Sequence, residues 1–133
     1  MNYLKQFLSG FLSTLIFHQG IVAIGYVLGI FPNVPYNIAS TEPFGIPSIV
    51  SISLFGGGWG VIIWYFIKKF KGTTLWVLSF VLSGFLLTMF FSIIIAPFKG
   101  IDINIARFLT GFILNGFWGI GNTLFVRLFK SNN

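Results

Sequence analysis

The sequence predicts an all-α, polytopic membrane protein with four transmembrane helices in a single domain, residues 1–133. Three observations carry this. Only 8% of the residues are charged while 56% are hydrophobic, whereas a soluble domain carries about a quarter charged residues. The apolar residues fall in four long runs, each roughly the length of helix that crosses a hydrocarbon core of about 30 Å. The ionisable residues, His18 apart, lie at the ends of those runs or between them.

After a short polar start containing Lys5, the first helix is expected over about 7–30, interrupted near its middle by His18-Gln19-Gly20. It is too long for a signal-peptide core and lacks an A-x-A cleavage site. The segment from Phe31 to Pro47 contains Pro32, Pro35, Pro43 and Pro47. Four prolines exclude a regular helix and predict an ordered loop on the outer face. The second helix, 48–67, is centred on Leu54-Phe55-Gly56-Gly57-Gly58-Trp59-Gly60. Its Gly56 and Gly60 form a GxxxG pair, which lets a neighbouring helix approach closely in lipid. After the turn Lys68-Lys69-Phe70-Lys71-Gly72, a third helix is expected over 73–96, ended by Pro97, and a fourth over 107–129.

Charge sets the expected orientation. Lys5, Lys68, Lys69, Lys71, Arg127 and Lys130 fall on one side, and Lys99 and Arg107 on the other. The positive-inside rule then predicts both termini in the cytoplasm. Tyr3, Trp64, Tyr65 and Trp76 would lie near the cytoplasmic interface, while Trp59 and Trp118, near mid-helix, would fill packing gaps. An internal echo also appears: residues 8–17 match residues 82–91 at seven positions in ten, and 55–61 resemble 114–120. This leaves open a parallel two-helix repeat. Chance matching among apolar helices competes with it, and the depths expected for Gly10 and Gly84 disagree.

Straight helices would bring His18, Gly57, Gly84 and Gly116 into one layer across the bundle. An ionisable residue at membrane depth is a functional candidate by default. The binding or pore candidates are therefore His18, Gln19, Thr14, Gly57, Asn115 and Asn122, with Gln19 and Asn115 as expected partners of His18. Gly25, Gly29, Gly56, Gly60, Trp59 and Trp118 are expected to serve helix packing. The competing reading is that His18 only hydrogen-bonds across a helix pair, which also serves packing. On the outer face Tyr36, Asn37, Glu42, Asp102 and Arg107 are candidates. Glu42 and Asp102, the only carboxylate side chains, are more simply read as solvated loop charges that pair with Lys99 or Arg107.

The same composition excludes several classes. No Asp, Glu, Lys or Arg lies inside a run, which argues against a carboxylate-coupled transporter and a voltage sensor. With no cysteine and one histidine, no metal ligand set is expected, and neither a cofactor nor a catalytic residue is assigned. The basic residues form no stripe that would bind nucleic acid.

The motifs Phe17-His18-Gln19-Gly20, Pro35-Tyr36-Asn37, Pro43-Phe44-Gly45-Ile46-Pro47 and Gly57-Gly58-Trp59-Gly60 resemble a group of short four-helix bacterial inner-membrane proteins with no assigned activity. The resemblance covers the first half of the chain and implies a multi-pass protein of the bacterial inner membrane. The segment Gly116 to Thr123 is similar to part of small four-helix fluoride channels. It lies in the last helix here, and the Gly-Arg pattern of those channels is missing, so that assignment is rejected. The expected function is a small oligomeric channel or facilitator. The alternatives are a structural or accessory subunit of a larger membrane complex and, behind it, a membrane enzyme. Besides the lipid bilayer, the expected partner is a second copy of the chain, in a dimer.

Overall fold

The computed structural model describes residues 2–41 and 44–131. It contains four long helices: α1 (Tyr3–Val27), α2 (Ser48–Ile67), α3 (Gly72–Lys99) and α4 (Ile105–Ser131). Each is long and apolar enough to span a bilayer, which makes this a multi-pass membrane protein. A minimal antiparallel hairpin, β1 (Ser40–Thr41) and β2 (Ile46–Pro47), folds the Pro-rich loop back on itself, with Thr41 opposite Ile46.

The helix ends differ from those expected, for local reasons. The first helix begins at Tyr3 because Asn2 caps it, its side-chain oxygen accepting from the Lys5 amide at 3.0 Å. It stops at Val27 rather than residue 30. Gly29 enters the left-handed region (φ +76°), and the amides of Ile30 and Phe31 close on the Gly25 carbonyl. The third helix runs through Pro97 to Lys99. A π-helical segment, Phe91–Ile95, precedes the proline. Its wider turn changes the i−4 geometry that makes a proline break a helix. Gly100, at φ +66°, ends the helix instead. Asn104 starts α4 by accepting from the Arg107 amide at 2.8 Å. A second π-helical segment, Thr14–His18, lies inside α1.

Side chains are distributed as lipid solvation requires. Large apolar residues such as Ile24, Val27, Phe55 and Val77 face outward, while Ser9, Ser13, Ser53, Ser79, Ser83, Asn122 and Thr123 are fully buried. Small and hydroxylated residues let helix backbones approach and supply bonds between helices where hydrocarbon offers none. Among the described residues one buried apolar cluster stands out, formed by Ile63, Trp64, Ile67, Leu75, Trp118 and Val126, where α2, α3 and α4 meet. Trp64 therefore belongs to the core and not to an interfacial belt.

Candidate functional site: a polar seam and an outer clamp

The contact between α1 and α2 is made by glycine. A side chain at Gly10 would meet the Gly56 carbonyl and come within 3.0 Å of the Gly60 Cα, and one at Gly60 would come within 2.9 Å of the Gly10 Cα. Thr14 fills the space over Gly56. As the α1 position advances from 10 to 14, its α2 partner retreats from 60 to 56, so the two helices run in opposite directions. Of the GxxxG pair, both members thus meet another helix backbone, as their spacing predicts.

Trp118 joins α4 to this crossing. Its side chain is 1% exposed, and its indole N–H lies 3.1 Å from both the Gly10 carbonyl and the Thr14 hydroxyl. In return Ser13 donates to the Trp118 carbonyl. One turn further along α4, the Asn122 amide reaches the Gly60 carbonyl at 3.4 Å. The α3–α4 contact adds side-chain bonds to its glycine approaches. Ser79 and Thr123 share a hydroxyl hydrogen bond, and the Asn115 amide donates to the Thr88 hydroxyl at 3.0 Å. Gly119 packs on Ser79 and Ser83, and Gly84 on the Phe112 backbone and ring. The polar groups on α4 thereby fasten all three other helices. Four buried polar atoms have no partner among the described residues: the Ser53, Ser83 and Ser92 hydroxyls and Asn122 Oδ1.

The outer loop makes a second constellation. Tyr36 donates its amide to Gln19 Oε1 at 2.8 Å and its hydroxyl to the Leu15 carbonyl at 2.7 Å. Leu15 lies inside the π-helical turn of α1, where the ordinary i−4 ladder is interrupted. To reach both acceptors Tyr36 takes φ +52°, a left-handed conformation that a bulky residue adopts only when its surroundings enforce it. Since Gln19 Oε1 is occupied by the Tyr36 amide, its Nε2 faces His18, 3.2 Å from Nδ1. An amide nitrogen only donates, so Nδ1 accepts and the proton of a neutral ring sits on Nε2. Beyond Tyr36, the carbonyls of Asn37 and Ala39 accept from the Ile49 and Ser48 amides. They thereby satisfy the start of α2, which lacks a side-chain cap. The loop thus ties the middle of α1 to the start of α2.

The expected layer does not form. His18 bonds to Gln19, one of its two expected partners, but Gly57 faces the Phe7 ring, and Asn115 bonds to Thr88 and not to His18. Depth counted along straight helices of equal length fails because α1 starts and stops early and contains a π turn. Gly25 and Gly29 also differ from expectation. Gly25 takes the folded-back Phe31 ring and Gly29 caps the helix in open space, so neither joins two helices. Trp59 packs edge-on against Phe90 of α3, 5.3 Å between centroids, and fills a gap between helices, as Trp118 does. On the outer face, Arg107 bonds to the main-chain carbonyl of Asp102, and Asn37 closes a local turn onto Ala39. Glu42 lies outside the described residues. Residues that sequence reasoning passed over are Gly10, Ser13, Ser79, Thr88 and Thr123. The signal for the first two was the i, i+3, i+4 spacing of Gly10, Ser13 and Thr14 on one helix face.

No protein-family model matches the chain, and no curated protein or solved structure matches it either.

Proposed function

We propose that this chain is a structural or accessory subunit of a membrane assembly, a protein whose work is to pack rather than to conduct. The observation that carries the reading is the crossing at Gly10, where α1 and α2 touch backbone to backbone and Trp118 fills the remaining space. A bundle fastened in this way has its middle occupied by its own side chains. The orientation proposed with it has both termini cytoplasmic, on the charge distribution already described, in a bacterial inner membrane. A second copy of the chain or a larger complex is the partner.

We also propose a two-helix duplication. An equivalent contact in the two halves supports it: in the register of the sequence echo, Thr14 against Gly56 corresponds to Thr88 against Asn115. The two matching tryptophans each reach across to the other half, Trp59 to Phe90 and Trp118 to Gly10.

A second reading, a small oligomeric facilitator, is favoured by the unpartnered Ser53, Ser83, Ser92 and Asn122 atoms. Unsatisfied polar groups are costly away from water, and a hydrated path would relieve them. Stopped-flow light scattering of proteoliposomes separates the two. The packing reading predicts water, urea and glycerol permeabilities equal to those of protein-free vesicles. Native mass spectrometry from the protein's own membranes should then yield an assembly of fixed stoichiometry. A permeability several times that of empty vesicles would overturn the packing reading in favour of the facilitator.

A further inference from the structure

At one end of the bundle, the α2–α3 turn meets the last turns of α4. Ile67, Leu75 and Val126 share the buried cluster there, and the Arg127 guanidinium lies 5.8 Å from the Trp76 ring centre. This gathers Lys68, Lys69, Lys71, Arg127 and Lys130, all exposed. Among the described residues the one side-chain carboxylate, Asp102, is remote from it, because it follows α3, whose 28 residues span about 40 Å. No described side-chain carboxylate therefore neutralises these cations.

Beside them an apolar groove of about 320 Å³ runs between the start of α1 and the last turns of α2, lined by Tyr3, Val61, Ile62, Tyr65 and Phe66. The Lys68 ammonium stands 5.3 Å from the Tyr65 ring centre, at the head of the groove.

We infer that this end is a docking surface for an anionic glycerophospholipid, with an acyl chain along the Tyr3–Phe66 groove and the phosphate at Lys68 and its neighbours. Charge complementarity selects this occupant. The groove suits hydrocarbon and opens beneath cations that no described side-chain carboxylate faces, and a juxtamembrane cluster of this size attracts anionic lipid. A second copy in the same orientation would bring like charges to the same level of the bilayer. The proposal is independent of whether the bundle conducts.

The test uses delipidated protein in a neutral detergent at low salt, where surface electrostatics are least screened. Dioleoylphosphatidylglycerol, dioleoylphosphatidylcholine and inorganic phosphate are titrated separately. Bound lipid is counted by native mass spectrometry and thermal stability is followed in parallel. Phosphatidylglycerol should be retained and should raise Tm more than phosphatidylcholine, while inorganic phosphate should have no effect. The triple variant Lys68→Gln, Lys69→Gln, Lys71→Gln should weaken phosphatidylglycerol binding roughly tenfold or more. Ile62→Trp, which fills the groove, should weaken both lipids, and Lys99→Gln at the opposite end should leave binding unchanged. Equal retention of the two lipids would overturn the proposal. So would undiminished phosphatidylglycerol binding by the triple variant, a Tm shift reproduced by phosphate alone, or a dimer that excludes lipid from the groove.

Discussion

The two helix pairs solve the same packing problem with different chemistry. Between α1 and α2 the contact is backbone on backbone, Gly10 against Gly56 and Gly60. Between α3 and α4 glycines also meet backbone, Gly119 at the Ser79 carbonyl and Gly84 at that of Phe112, but side-chain bonds are added, Asn115 to Thr88 and Ser79 to Thr123. The outer connections differ too. The first pair is joined by a long loop that clamps both helices through Tyr36 and the Asn37 and Ala39 carbonyls. The second has only the short stretch 100–104. Neither pair should therefore tolerate added volume at its contact glycines, whereas the second should lose individual side-chain bonds at modest cost.

The largest effect should come from adding volume at the glycine crossing. Gly10→Val puts branched carbon against the α2 backbone, which cannot withdraw as a flexible side chain could. We expect a loss of about 3 kcal/mol in a detergent unfolding titration. A loss below 1 kcal/mol would mean that the two helices stand further apart than described. Next, Tyr36→Phe removes the hydroxyl that reaches Leu15. The expected cost is about 1 kcal/mol, read as amide exchange near Gln19 that is about fivefold faster with Tm little changed. Exchange at wild-type rates would remove the clamp from the account.

Smaller still, Asn115→Leu should cost about 0.6 kcal/mol, the average for such a bond in a membrane bundle. A double-mutant cycle with Thr88→Val should return that value as coupling, and zero coupling would show that the pair does not fasten α3 to α4. The smallest effect belongs to Gly58→Ala, where nothing lies within 4 Å of the added carbon. There the protein should gain about 0.4 kcal/mol, and a clear destabilisation would place another surface against that face.

The sequence carried the helices more plainly than their contacts. Four apolar runs and the loop prolines are local signals, so the spans were legible within a few residues. Gly56 and Gly60 announced a close approach by their spacing, but nothing in the sequence named Gly10 as the surface they approach. Partner choice depends on the relative depth of two helices. That depth shifted when Asn2 and Gly29 moved both ends of α1 and a π turn entered at Thr14. For this reason His18 lies with Gln19 and the Tyr36 loop instead of beside Gly57 and Asn115. Pro97 misled for a related reason, since the π turn before it removes the usual conflict. Tyr36 was singled out as an outer polar residue, yet its hydrogen bond to the Leu15 carbonyl becomes visible only once the loop is folded.

The central claim is that the middle of the bundle is closed to water, and cysteine accessibility tests it most directly. The chain has no cysteine, so single Ser13→Cys, Ser53→Cys and Ser83→Cys variants carry no background. Treated in intact membranes with a small, charged, thiol-specific reagent, all three should stay unlabelled. They should react fully after solubilisation in sodium dodecyl sulfate, while Lys71→Cys on the exposed turn should react in both. Rapid labelling of Ser53→Cys or Ser83→Cys in intact membranes would reveal a hydrated path and contradict the closed, packing bundle.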